Sequence, residues 1–179
     1  VVAAWDATYD AASGSNNGVA WGNQGVTVGT STSLQDFMGY SNSMKVLAAA
    51  NGVLENSSSD NYPAFYYAMV KYEESYPAPS TSSGWFMPSA YQLLYMWEEF
   101  DPTDAEEAVI ENQLALLAES GMGAEMYARD SEYWSSTERN NSPDMQVHYV
   151  VYDEASTTPG RIDYWNKRNN MRVRAILAF

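Results

Sequence analysis

Acyl-transfer chemistry needs at least a nucleophile, a base and a group to orient the base, and this chain offers few of them. It has no Cys and a single His, His148. Without thiols there is no disulfide, no thiolate metal site and no cysteine nucleophile. A Ser-His-acid triad would have to recruit His148, which sits in the middle of a strand-like run, and no Gly-x-Ser-x-Gly turn is present to offer a serine. There is no phosphate-binding loop, dinucleotide-binding glycine pattern or EF-hand loop. Carboxylates remain, and glycoside hydrolysis needs two of them at a set separation. With 23 Asp and Glu in the chain, a suitable pair could arise by chance, so the count carries no information. Glu98, Glu99, Asp101, Glu106 and Glu107 read as a solvated helix end and the first turn of the next helix. The expectation is a domain that is not an enzyme and holds no cofactor.

Composition bounds the partners. Nine Lys and Arg against 23 Asp and Glu leave a net charge of −14 and a pI near 4.2. That field repels nucleic-acid phosphates and anionic headgroups, so neither nucleic acid nor a bilayer is an expected partner. Charged residues make up only 18% of the chain, so solubility rests on Ser, Thr, Asn, Gly and Tyr. Fourteen Tyr and six Trp among small polar residues match the composition of binding loops. There, flat rings give contact area at low entropic cost and short polar side chains give adaptable hydrogen bonds. No apolar run approaches the roughly 18 residues that span a bilayer, and no signal peptide is visible at Val1. A chain of 179 residues with 45% hydrophobic content fills one domain, residues 1–179. It is expected to be the C-terminal module of a longer exported or virion protein.

The elements that must position any site follow from local patterns. Val1 to Trp5 and Val26 to Val28 read as strands in a turn-rich first third. Asn42 to Ala50 reads as a helix, capped by Ser41 or Asn42 and stopped by Asn51-Gly52. A second helix spans Pro63 to Glu74, with Phe65, Tyr66, Met69, Val70 and Tyr72 on its apolar side. Ser89 followed by Gln92 is a capping box for a third. Asp101-Pro-Thr103 opens a fourth, whose Ile110, Leu114, Leu117 and Ala118 form one face and which Gly121 ends. Glu132 to Glu138, Met145 to Glu154, Arg161 to Lys167 and Met171 to Phe179 then read as strands. In the last, Val173, Ala175, Leu177 and Phe179 alternate with Arg172 and Arg174 as in a half-buried strand. Helices first and antiparallel strands last indicate an α+β fold.

Three segments, in order and spacing, resemble a known pattern. They are Gly84-Trp-Phe-Met-Pro-Ser-Ala-Tyr-Gln-Leu93, Glu132-Tyr-Trp-Ser-Ser-Thr-Glu138, and the ending from Lys167 through Val173-Arg-Ala-Ile-Leu-Ala-Phe179. The set is similar to the formylglycine-generating-enzyme-like branch of the C-type lectin fold. Within it, the likeness is to non-enzymatic members in gut-bacterial surface proteins, phage tail adhesins and the variable proteins of diversity-generating retroelements. Met87 stands where the family more often has Leu, and the resemblance covers residues 34 to 179. It implies helices flanking a small twisted antiparallel sheet built largely from the C-terminal strands, with the first strand paired to the last. Trp85, Pro88, Tyr133, Trp134 and Phe179 then read as core and turn residues, with Ser135, Ser136 and Thr137 near at hand for buried indole N–H groups. The enzymatic branches hold copper with thiols or iron with several His, neither of which this chain can do. Calcium of the sugar-binding lectin type is not expected either: Asn141-Ser-Pro-Asp144 only faintly echoes the usual loop, and Lys167 puts a cation where a carboxylate belongs.

The resemblance further implies that ligand meets the C-terminal strands and loops. Two regions result. Glu138 to His148 supplies Glu138, Arg139, Asn140, Asn141, Asp144 and His148; Asp163 to Arg172 supplies Asp163, Tyr164, Trp165, Arg168, Asn169 and Asn170. The competing reading is an ordinary pair of hairpin loops, since Asn is favoured in turns. Tyr164 and Trp165 beside Arg and Asn would stack on a sugar ring or anchor a protein contact. The expected function is an extracellular ligand-binding (adhesin or receptor-binding) domain on a bacterial surface or phage virion, directed at protein or glycan on a target cell. If the gene is diversified, Asn140, Asn141, Asn169 and Asn170 are positions that adenine rewriting would touch. The alternative is a structural assembly subunit of a surface fibre or pilus tip, with Val1 to Trp5 as a strand it could donate.

Overall fold

The computed structural model describes residues 1–8, 17–98, 116–123, 131–152 and 160–179. Its elements in chain order are β1 (Val19–Ala20), α1 (Gly39–Ala49), a 3-10 turn (Ser59–Asn61), α2 (Pro63–Tyr66), a π-helical segment (Tyr67–Lys71), α3 (Tyr72–Ser75), α4 (Ala90–Glu98), β2 (Ser131–Glu138), β3 (Gln146–Tyr152), β4 (Gly160–Asn166) and β5 (Asn170–Met171). Strands β2, β3 and β4 form an antiparallel sheet in that order, and β1 pairs antiparallel with β5. The α+β class read from the sequence holds.

Local signals place most of these elements. The Ser89–Gln92 capping box forms: Ser89 N–H donates to Gln92 Oε1 at 2.9 Å, and Gln92 N–H to Ser89 Oγ at 3.2 Å. Pro63 takes the first helical position after Tyr62, which sits in the left-handed region at φ 55°. From there α2, the π segment and α3 run on without a break, burying Phe65, Ala68 and Tyr72, while Val70 is exposed. Asn51 (φ 54°) and Gly52 (φ 80°) stop α1 as expected. That helix starts earlier than read, at Gly39, because Asp36 Oδ1 accepts the Met38 N–H at 3.1 Å and turns the chain there. Of the acidic fourth helix, only residues 116–119 are described and helical, with Gly121 at φ 72° beyond them. The opening at Asp101-Pro-Thr103, with Ile110 and Leu114, lies outside the described residues.

The sheet has a core on one face and α4 on the other. Trp134, Val147, Tyr149 and Val151 enter a core with Trp21, Val46, Phe65 and Met87. Tyr133 and Val150 pack with Leu93 of α4, and Met96 and Ile162 border that cluster. Ser135, Ser136 and Thr137 do not receive indole N–H groups on their hydroxyls. Trp21 Nε1 donates to the Ser135 carbonyl, Trp134 Nε1 to the Val19 carbonyl and Trp85 Nε1 to the Tyr76 carbonyl. The hydroxyls instead tie the sheet to its neighbours, Ser136 accepting from Asn42 Nδ2 and Thr137 from the Ala90 N–H.

Four expectations fail, three of them on long-range contacts. Val26 to Val28 is not a strand: the N–H groups of Val28, Gly29 and Thr30 donate to the Glu138 carboxylate rather than to another strand. Residues 172–177 form bridges instead of one long strand, from Ile176 to Val2 and Phe86 and from Arg172 to Tyr133. The Ala3 and Ala7 N–H groups reach the Ala175 and Val173 carbonyls at 2.9 and 2.7 Å, so the two ends of the described chain lie together. This segment is therefore covered on both sides, and Arg174, expected on a solvent face, is fully buried. Its Nε pairs with Asp6 at 2.7 Å, its Nη1 donates to the Ala3 carbonyl at 2.9 Å, and Tyr133 donates to the same Asp6 at 3.1 Å. Phe179, expected in the core, lies past the last bridge and is 79% exposed.

Candidate functional site

Strand alternation makes the site. Along β3, Val147, Tyr149 and Val151 point into the core, so His148 and Val150 point to the other face, opposite Tyr164 and Ile162 of β4. Helix α4 covers the Val150–Ile162 end of that face through Leu93 and Met96. The His148–Tyr164 end is left open, and there a cleft of about 450 Å³ forms. Arg139, Asn140 and Asn141 from the β2–β3 turn wall one side. His148, Ile162, Asp163 and Tyr164 form the floor, and Thr32 and Leu34 close it from the loop before α1.

The turn holds its shape through its backbone. Arg139 N–H donates to the Gln146 carbonyl at 3.0 Å and Gln146 N–H to the Ser142 carbonyl at 2.8 Å. These bonds place Asn140 and Asn141 at the tip. The Arg139 guanidinium lies over the Tyr164 ring, 3.3 Å from its centroid, while Nη1 donates to Gln146 Oε1. The His148 ring meets Tyr164 edge-on at 6.3 Å. Its Nδ1 is 3.2 Å from the Asp163 carbonyl, which can only accept, so Nδ1 carries the proton and Nε2 is left as an acceptor. Burial pushes the His148 pKa below its ordinary value of 6.5; the Asp163 carbonyl partly opposes this and the Arg139 charge adds to it.

Six of the predicted residues thus come together: Arg139, Asn140, Asn141, His148, Asp163 and Tyr164. The other six lie elsewhere. Glu138 is fully buried, which removes it as a ligand contact. Its carboxylate accepts the N–H groups of Val28, Gly29 and Thr30 at 2.8 to 3.0 Å and pairs with Lys167 Nζ at 2.7 Å. Lys167 also donates to the Val26 carbonyl at 2.8 Å and stands 4.6 Å from the Trp21 ring centroid. Burial lowers the Lys167 pKa, and the bond and charge of Glu138 work against that shift. The pair is a structural pin between the first third of the chain and the strands. Asp144 is half-buried, and its carbonyl accepts the Gly25 N–H at 2.8 Å.

Trp165 is 51% exposed, but it alternates with Tyr164 and projects from the opposite face of β4. The two rings therefore do not form one platform. Trp165 borders a second hollow of about 300 Å³ with Gln146, Asp163, Tyr164 and Asn166. Arg168 and Asn169 belong to the β4–β5 turn, and Asn170 is the first residue of β5. Asn169 N–H donates to the Asn166 carbonyl at 3.0 Å, Arg168 forms an exposed pair with Asp60 at 3.2 Å, and Asn170 faces Ala20. Thr32 and Leu34 escaped the sequence reading because nothing in their local pattern ties them to strands more than a hundred residues away. Ile162 was legible as the same-face neighbour of Tyr164. Among the described residues, no three His, Asp or Glu side chains converge so as to hold a metal ion. No described helix is long and apolar enough to cross a membrane.

No family model matches the chain. Over 143 residues it is 28% identical to a Bacteroides ovatus protein described as "Putative fimbrium tip subunit Fim1C", an alignment that takes in 80% of this chain and 23% of that protein. The chain thus spans about a quarter of the length of that curated relative. It is also similar to the crystal structure of a fimbrial protein from Bacteroides ovatus, with a TM-score of 0.60 at 22% identity, covering 91% of this chain and 33% of the other. The α+β architecture described above is accordingly a fold found within a Bacteroides fimbrial protein, of which this chain matches about a third.

Proposed function

We propose that this chain is a domain of a bacterial surface-fibre subunit of the fimbrial tip kind, located outside the cell. One observation carries this reading: the likeness to a fimbrium tip protein extends over four-fifths of the chain, and the fold of a fimbrial protein accompanies it. The order of the two sequence readings is thereby reversed, with the fibre subunit first and the free-standing adhesin second. Both relatives are described as fimbrial proteins of a bacterium, which supports a bacterial surface over a phage virion. Residues 1–7 are hydrogen-bonded to residues 173–177 of the same chain, which speaks against donation of the Val1–Trp5 strand. Among the described residues β4 pairs only with β3, and an edge strand of this kind is where a neighbouring subunit could add a strand. The adjoining ends and the small sheet flanked by helices support the C-type-lectin-like reading in addition. The likeness to fimbrial proteins supports a non-enzymatic role. The test is to tag the parent protein in its host, shear fibres from the cells and image them with antibody to this domain. Label at fibre ends supports the reading; label confined to the cell body, with fibres intact and unlabelled, defeats it.

A second reading, contact with a target through the cleft, is favoured by one feature. Arg139 is held ready over Tyr164 at the open end of the sheet face. A cell-binding comparison of intact fibres with Tyr164→Ala fibres tests it. Retained binding would rule the cleft out.

A further inference from the structure

We propose that the cleft takes a sugar bearing a carboxylate, a hexuronic or sialic acid residue at the end of a glycan. The inference rests on the second reading above, in which the cleft is the contact site. Its volume of about 450 Å³ falls within the range of roughly 300 to 1,000 Å³ of small-ligand sites. That is room for one or two sugar units and short for an extended peptide. The charge argument starts from Arg139. Among the described residues, the ion pairs engage Lys71, Lys167, Arg168 and Arg174; Lys45, Arg139, Arg161 and Arg172 stand outside them, and of these four only Arg139 lines the cleft. At the mouth of a cleft, in a chain of net charge −14, a guanidinium with no ion pair among the described residues can receive a carboxylate from outside the chain. It is also preorganised: the Tyr164 ring fixes its plane and Gln146 Oε1 holds one Nη. The remaining N–H donors of a fork so held suit a bidentate carboxylate.

The rest of the wall suits hydroxyl groups. Asn140 and Asn141 each offer a donor and an acceptor, Thr32 offers a hydroxyl, and His148 retains Nε2 as an acceptor. Leu34 and Ile162 supply the apolar side that a sugar's C–H face or an acetyl methyl requires. The one carboxylate in the lining, Asp163, is turned to its own strand, with Oδ1 accepting the Tyr164 N–H at 2.8 Å. A mixed set of donors and acceptors in one small concavity matches a ring of hydroxyls, and the guanidinium matches the acid.

The test uses the ¹⁵N-labelled chain titrated with glucuronic acid, N-acetylneuraminic acid, the methyl ester of glucuronic acid and a short Asp/Glu-rich peptide. Expected are shifts at Arg139, His148 and Tyr164 amides with the two acids, and affinity for the ester at least about tenfold weaker. Arg139→Gln should erase the preference for acid over ester, Arg139→Lys should keep part of it, and Trp165→Ala, on the other face, should leave it intact. Should Arg139→Gln fail to fold, Asn140→Ala with Asn141→Ala replaces it, and weaker binding of both acids is expected. If the ester binds as tightly as the acid, the charge inference is wrong and the cleft reading survives. If only the peptide perturbs these amides, the ligand class is wrong and the cleft again survives. If no probe shifts them, the inference is overturned, and the fibre reading still stands or falls on the imaging above.

Discussion

At the scale of single residues, the chain hides more chemistry than it displays. Glu138 looked like the edge of a binding loop and is instead a buried hub for three backbone N–H groups and the Lys167 ammonium. In Glu138→Gln one amide oxygen must serve what two carboxylate oxygens serve now, and Lys167 loses its counter-charge. Removing one member of a buried pair costs about 3 to 5 kcal/mol. Urea unfolding of this variant should show a loss of that order, and a loss under about 1 kcal/mol would contradict the account. Adding Lys167→Met should not restore stability, because the N–H groups of Val28, Gly29 and Thr30 still share one acceptor. Tyr133 makes a second residue-scale prediction. Burial first and the Asp6 charge second push its pKa up from 10.0 to about 12. Between those values the unfolded chain has lost the phenolic proton and the folded chain has kept it. The unfolded state then binds fewer protons, so stability falls as pH rises through that window. The gap corresponds to roughly 2 to 3 kcal/mol. Tyr149, also pushed up to about 12 by burial, with Asp163 and Glu132 adding to it, titrates in the same window. Tyr133→Phe should therefore reduce the alkaline slope of stability, measured by urea midpoints, without abolishing it; an unchanged slope would refute the assignment.

At the scale of elements, the join between α1 and α4 carries the clearest constraint. Gln92 Oε1 caps its own helix at Ser89 and also accepts the Gly39 N–H at 3.1 Å, so one side chain aligns two helix starts. A Cβ at Gly39 would stand 2.8 Å from both the Met87 carbonyl and the Ser89 nitrogen, and would collide with Gln92 Oε1. Those backbone atoms cannot give way cheaply. Gly39→Ala should cost about 1 to 3 kcal/mol by overpacking, despite the helix propensity that Ala adds. A variant of equal or greater thermal stability would show that the helices are not held so closely. The same join shows what was legible. Ser89–Gln92, Pro63 and Asn51-Gly52 act within a few residues, so their signals survive in the sequence. The alternation in β3 and β4 likewise fixed which side chains share a face, and half of the predicted site follows from it. Val26 to Val28 failed as a strand because its partner is a side chain 108 to 110 positions away. Arg174 failed for the same kind of reason. An Arg alternating with apolar residues reads as solvent-facing until the other end of the chain is laid over it with Asp6. Thr32 and Leu34 reach the cleft through tertiary packing alone.

For the whole molecule, charge sets how the fold responds to its medium. The net charge of −14 is a surplus of carboxylates, and the self-repulsion of such a surplus opposes the compact state. Among the described residues, the attractive pairs divide into two kinds. Lys167–Glu138 and Arg174–Asp6 have side chains at most 5% exposed, out of reach of mobile ions. Lys71–Glu74 and Arg168–Asp60 are at least 50% exposed, and exposed pairs are worth about 0 to 1 kcal/mol each. Added salt shortens the screening length from about 30 Å at 0.01 M to about 10 Å at 0.1 M. It therefore weakens two small attractions and leaves the two buried pairs alone, while it reduces repulsion summed over the whole surface. That summed repulsion outweighs the two exposed attractions, so thermal stability should rise as sodium chloride goes from about 10 to about 200 mM, most steeply at the low end where the screening length changes most. A Tm that falls over this range would mean that the exposed pairs dominate after all. The same screening should weaken capture of an acidic sugar at Arg139, an interaction between opposite charges at an open cleft. Stability and acid binding should thus move in opposite directions with salt, and calorimetry and titration on one sample series can follow both. Parallel movement would show that the cleft does not recognise charge.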